Sequence, residues 1–138
     1  MRLAFGVALV LIASACTRVV DVRTTSEVRP MRYAITEVTA DIGSQDTAVA
    51  IAKRALAAEN IAIMREAVAT GTVEGGPVHF DAAGDQPALD ATVTITAQTQ
   101  GTGTRFRVYA SAVLPAGAVG GLDGRLKALA DRVSARIR

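Results

Sequence analysis

His79 is the only histidine in the 138 residues, and it stands two positions before Asp81 in the run PVHFDAAGD. An imidazole beside a carboxylate is the base-and-orienter half of a nucleophilic catalyst, so a histidine-based triad here must use His79 with Asp81 or Asp85. The chain contains no Gly-x-Ser-x-Gly sequence to supply the nucleophile. A histidine in a turn-rich loop also serves as a simple surface or partly packed side chain, and no catalytic residue is assigned. Asp81, Asp85 and Asp90, with Gly84 among them, invite a calcium reading. The EF-hand pattern is absent, however, and aspartate with glycine forms turns without any ligand, so no metal is expected. The pairs Gly75-Gly76 and Gly120-Gly121 lack the Lys-Ser/Thr that follows a phosphate-binding loop and are expected to be flexible connections.

The other chemically distinctive residue is the single cysteine, Cys16. One thiol excludes an intrachain disulfide and any zinc site built on two or more cysteines. It closes the N-terminal run MRLAFGVALVLIASAC, in which Arg2 precedes an apolar stretch from Leu3 to Ala13 and then small residues. This is a secretory signal pattern, and the stretch falls short of the roughly twenty apolar residues that span a bilayer.

The segment Ala13-Ser14-Ala15-Cys16 resembles the lipobox of bacterial lipoproteins, although the family most often carries leucine where Ala13 stands. The resemblance implies cleavage of residues 1–15, a diacylglyceryl group on the Cys16 thiol and N-acylation of the new terminus. Apart from that covalent lipid, no cofactor is expected. Thr17, rather than aspartate, follows the cysteine, and by the same resemblance this points to the periplasmic side of the outer membrane. The alternative is an ordinary signal peptide cut at the Ala13-x-Ala15 site, releasing a soluble periplasmic chain with a free thiol. Lipid capping is favoured physically, because an exported unpaired thiol is open to oxidation and crosslinking, and two or three acyl chains anchor stably.

Residues 16–30 read as the lipidated cysteine and a flexible tether, ended by Pro30, which disfavours helix at Arg29. Val19, Val20 and Val22 would alternatively make a short edge strand, and Arg18, Arg23 and Arg29 would face lipid headgroups. Residues 31–138 read as one domain.

Within it, a strand runs from Met31, alternating Tyr33 and Ile35 against Arg32, Ala34 and Thr36, and stops at Gly43. Ser44 or Asp46 caps an amphipathic, alanine-rich helix over 47–60. Residues 61–73 predict a second strand, followed by a long loop over 74–87. Residues 89–99 alternate cleanly, placing Thr92, Thr94 and Thr96 on one face and Ala91, Val93 and Ile95 on the other. Gly101-Thr102-Gly103 turns the chain into a hairpin partner in which Arg105, Arg107 and Tyr109 alternate with Phe106, Val108 and Ala110. A terminal helix carries Leu122, Leu126, Leu129, Val133 and Ile137 on one stripe, with an Asp123–Lys127 pair at its start.

The order β-α-β-β-β-α predicts an α+β two-layer sandwich: a mostly antiparallel sheet with both helices on one face and the threonine-rich face open. In element order alone, residues 31–138 look like the small α/β accessory lipoproteins of the Gram-negative envelope, which carries over no residue role. If the chain has a recognition surface, it is the open face bearing Thr92, Thr94, Thr96, Arg105, Arg107 and Tyr109.

Composition narrows the function classes. Hydrophobic residues make up 50% of the chain and the formal charge is +2, which excludes a disordered polar chain. Basic and acidic residues, 15 against 13, are interspersed, and aromatic stacking platforms are lacking, so no nucleic-acid partner is expected. The expectation is a non-enzymatic, lipid-anchored envelope protein that contacts the membrane through its lipid and a protein through its open face. A carrier of a small apolar ligand is the alternative.

Overall fold

The computed structural model describes residues 29–137. The expected signal sequence 1–15, Cys16, the expected tether through residue 28 and Arg138 lie outside the described residues. Strand β1 (Met31–Ala40) leads to helix α1 (Gln45–Ala58), then β2 (Ile63–Ala67), a 3-10 turn (Val68–Thr70), β3 (Thr72–Phe80), β4 (Leu89–Gln100), β5 (Gly103–Val113), β6 (Gly121–Leu122) and helix α2 (Gly124–Ala135). The six strands form one open sheet in the order β2-β3-β4-β5-β1-β6, antiparallel except for the β1–β6 pair. The fold is α+β, with α1 over β3 and β4 and α2 over β1 and β5.

Two strands exceed the sequence-based order. The segment expected as one strand and a loop, 61–87, is instead a β2–β3 hairpin that reaches Phe80. Its reversal requires Gly71, whose φ is +68° and whose Cβ position would collide with the Ala97 carbonyl and the Gln45 side chain. Gly71 O in turn accepts from Ala97 N at 2.7 Å, which docks the hairpin onto β4. Across Gly75-Gly76-Pro77 the β3–β4 register shifts, and the Gly76–Pro77 bond is cis. The turn-forming residues of 74–77 therefore build a bulge inside a strand, not a loop. The short β6 forms where Gly121 and Leu122 run beside Arg32 and Tyr33.

Both helices are amphipathic for the reason their sequences suggest. Ser44 Oγ accepts from Thr47 N at 3.4 Å at the start of α1, whose buried stripe is Ala48, Val49, Ile51, Ala52, Ala55 and Leu56. Helix α2 buries Leu126, Leu129, Ala130 and Val133. Against them lie Val93 and Ile95 of β4 and Phe106 and Val108 of β5, all fully buried. Glu59, at the end of α1, accepts from Arg132 at 3.1 Å and Arg136 at 3.2 Å, joining the two helices.

The alternation of β1 has the phase opposite to its hydrophobicity. Ala34 and Val38 pack on the core, whereas Tyr33 and Ile35, opposite Ser111 and Tyr109 of β5, lie on the open face. The small side chain of Ala34 suits the core face because α2 crosses directly above β1.

The expected Asp123–Lys127 side-chain pair is replaced by a different arrangement. Lys127 Nζ bonds Asp131 at 2.7 Å, and Asp123 is the fully buried N-cap of α2. Its carboxylate accepts from Arg125 N at 2.9 Å and from the guanidinium groups of Arg32 at 3.1 Å and Arg125 at 3.2 Å. Burial pushes this carboxyl's pKa up, but the hydrogen bonds from Arg125 and Arg32 outweigh burial and hold it below the usual aspartate range.

A group whose folded pKa is depressed stabilises the fold above its unfolded pKa, and that stability is lost as pH falls through the folded value. Asp123→Ala is therefore expected to lower unfolding free energy by about 3 kcal/mol at neutral pH, through the lost cap and two uncompensated guanidinium groups. Asp123→Asn, which keeps a cap, is expected to lose about 1 kcal/mol less. The gap between wild type and Asn should shrink on acidification below the ordinary aspartate range, as urea unfolding at a series of pH values will read.

Candidate functional site

Inter-strand register, not sequence proximity, assembles the open face. Thr92 pairs with Ser111, Thr94 with Tyr109, Thr96 with Arg107 and Gln98 with Arg105. All six residues expected on the recognition surface, Thr92, Thr94, Thr96, Arg105, Arg107 and Tyr109, thus lie on one side of the β4–β5 hairpin, while Ala91, Val93, Ile95 and Ala97 point into the core. Thr96, Gln98, Arg105 and Arg107 line a recess of about 70 Å³.

Strand β1 adds residues that the sequence did not attach to this face. Glu37, opposite Arg107, accepts from its Nε at 3.2 Å and Nη2 at 3.1 Å. The Tyr33 and Tyr109 rings sit 6.2 Å apart at 31°. Met31 and Val113, paired across β1 and β5, are exposed beside them, as is Ile35. On the other flank Glu74 of β3, opposite Thr94, accepts from Arg65 at 2.9 Å. Among the described residues Arg105 has no ion-pair partner, whereas Arg65 and Arg107 do.

His79 stands on the same face near its other end, paired with Asp90 across β3 and β4. Its Nδ1 lies 2.7 Å from Asp90 Oδ1 and its Nε2 3.0 Å from Asp81 Oδ1. The His79–Asp81 pair is therefore present, with Asp90 as a second carboxylate partner. With both ring nitrogens engaged by carboxylates, the imidazolium form is stabilised, and hydrogen bonds to Asp90 and then Asp81 raise the His79 pKa. A base needs a free nitrogen turned toward a nucleophile, and here both face carboxylates. Asp85 lies in the tight turn closed by the Ala83–Gln86 bridge, apart from this pair. Among the described residues no group of three or more His, Cys, Asp or Glu side chains is arranged to hold a metal ion.

At the sheet edge, Ala34, Ile35, Leu122, Asp123, Gly124 and Lys127 border a mostly apolar recess of about 360 Å³. Leu122 is 78% exposed there. Among the described residues no helix is long and apolar enough to cross a membrane.

No protein-family model matches the chain, and no curated protein matches it. Among solved structures, it is similar to the ZhuI aromatase/cyclase from Streptomyces sp. R1128, at 14% identity and a TM-score of 0.35, over 78% of this chain and 84% of that one.

A raised folded pKa makes the His79 bridge stabilising below the ordinary imidazole range and removes that contribution as pH rises through the folded value. Wild type is thus expected to exceed His79→Gln in thermal midpoint below the ordinary imidazole range, with the gap closing as the pH rises past that range. A gap that widens with rising pH would show that the ring is held neutral instead.

Proposed function

We propose that this chain is a non-enzymatic, lipid-anchored protein of the bacterial envelope, held through Cys16 on the periplasmic side of the outer membrane, where it serves as an accessory or structural subunit. Its open sheet face docks a protein partner. The observation that carries the docking role is the gathering of Arg105, Arg107, Tyr109, Tyr33 and Ile35 on one unroofed sheet face. Guanidinium and tyrosine side chains are the types enriched where proteins bind one another, and the exposed apolar residues beside them add area to bury. The anchor is supported by the lipobox-like Ala13-Ser14-Ala15-Cys16 and by a thiol with no second cysteine to pair with.

Intact mass and membrane fractionation of the expressed chain test the anchor. Wild type is expected in the membrane fraction with the mass of the cleaved, acylated chain, and Cys16→Ser without acylation. An unmodified, soluble wild type would overturn the anchor. Crosslinking in membranes is expected to capture a defined protein product, reduced at least about fivefold by Arg105→Glu with Arg107→Glu in a chain that stays folded. Undiminished capture would remove this face from the docking role.

A carrier of a small apolar ligand would instead draw on the apolar recess beside Ile35 and Leu122. Organic-solvent extraction followed by mass spectrometry separates the two, because a carrier releases a stoichiometric small molecule and a docking subunit does not.

A further inference from the structure

Across strands β3 to β5 the open face is polar in the literal sense: its two ends carry opposite uncompensated charge. At one end Asp81 and Asp90 share the single imidazole of His79, so at least one negative charge remains even when that ring is protonated. Asp81 is 95% exposed and Asp90 68%. Arg125 touches Asp81 only at its backbone carbonyl, and its guanidinium is engaged by Asp123. At the other end Arg105, opposite Gln98, has no counter-ion among the described residues. Between them lies a neutral row running across three strands: Thr94 of β4, Tyr109 of β5 and Ile35 of β1.

This row is the midpoint of the pattern. Asp90 precedes Thr94 by four residues and Gln98 follows it by four, so the two charged ends lie about 13 Å to either side along the strand. A face with opposite charges equidistant from a neutral centre is complementary to itself under a two-fold rotation that reverses strand direction. We infer that the partner on this face is a second copy of the chain, stacked sheet on sheet about a two-fold axis through the Thr94–Tyr109–Ile35 row.

The charge pattern selects among the ways two such faces can meet. An axis along the strands would place the Asp81–Asp90 end of each copy over the same end of the other and likewise the Arg105 ends, bringing like charges of β3 to β5 together at both ends. An axis across the strands places the Asp81–Asp90 end of each copy over the Arg105 end of the other. It also brings Ile35 and Tyr109 of one copy against those of its partner, so exposed aromatic and aliphatic surface is buried at the centre of an isologous interface. Stacked sheets lie about 10 Å apart, a gap that guanidinium and carboxylate side chains reaching from both sides can close.

The inference rests on the open face being the docking surface, but not on the lipid anchor. It is tested on the full chain carrying Cys16→Ser by sedimentation equilibrium over a wide concentration range. A reversible dimer is expected. Arg105→Glu and Asp90→Lys are each expected to raise its dissociation constant at least about tenfold, since both place like charges opposite one another. An equimolar mixture of the two variants is expected to restore association to within about threefold of the parent, because each swapped charge then meets its opposite across the heterodimer.

Asp81→Lys, which leaves the 2.7 Å His79–Asp90 contact in place, serves as the second acidic-end variant, and circular dichroism confirms that each chain is folded. A monomer at all concentrations would overturn the proposal, as would a dimer indifferent to both single variants or a mixture no tighter than its components. If crosslinking in membranes then captures a different protein through Arg105 and Arg107, docking on this face stands and the second copy alone is refuted.

Discussion

One buried carboxylate ties the edge of this sheet to the helical layer. Asp123 caps α2, receives two guanidinium groups, and through its own N–H bonds the Tyr33 carbonyl at 3.2 Å. A buried charge is tolerable only when its partners satisfy it, so the positions of Arg32 on β1 and Arg125 on α2 are fixed relative to each other. Arg125 extends the linkage by stacking on Phe80 at 5.9 Å and donating to the Asp81 carbonyl. The end of β3, the start of α2 and strand β1 are thereby held to one point. Because β1 contributes Tyr33, Ile35 and Glu37, the composition of the open face depends on that point even though Asp123 is not on the face.

The second constraint is steric. Alanine lines the inward side of α1 at 48, 52 and 55, and the inward side of the sheet at 34, 91, 97, 110 and 112. Small side chains on both layers let helix and sheet approach closely, and they leave Phe106, Leu56, Ile95 and Leu126 to fill the remaining volume. Such a core has little apolar area per residue, which gives the polar ties greater relative weight. Thr104 is buried at the β5 end, with its hydroxyl bonded to the Ile42 carbonyl, and Thr99 bonds Gln45 at 3.0 Å where α1 begins.

Much of this was legible in sequence because period-two alternation is unambiguous when one face is aliphatic and the other threonine. Strands β4 and β5 show that pattern, and their register follows from the short Gly101–Gly103 turn, so the six face residues were placed together without any knowledge of the fold. In β1 the signal inverts: Tyr33 and Ile35 are more hydrophobic than Ala34 and Thr36, yet the core beneath α2 has room only for the smaller side. The β2–β3 hairpin was hidden because glycine and proline at 75–77 signal a loop locally, whereas here they shape a bulge that pairing on β4 sustains. The Asp123 network was illegible for a different reason. Arg32 lies 91 residues away in sequence, and the neighbouring Lys127 offered an adequate local partner.

A sheet face of threonine, arginine and tyrosine is well suited to reversible association. Aliphatic residues confined to the Ile35–Tyr109 row and the Met31–Val113 corner limit nonspecific adhesion, since contiguous apolar patches invite aggregation. Charges at the two ends act chiefly on orientation and encounter, and their desolvation offsets most of their attraction, so they select a geometry more than they add affinity. The proposed tethering by lipid would change what such an interface needs. Chains confined to a membrane plane meet at an effective concentration far above that in free solution, so an interface that forms reversibly between freely diffusing chains is more fully populated between anchored ones. On the proposed reading the two features divide the work: the placement of Arg105, Asp81 and Asp90 would set the geometry of association, and a lipid anchor at Cys16 would supply the concentration.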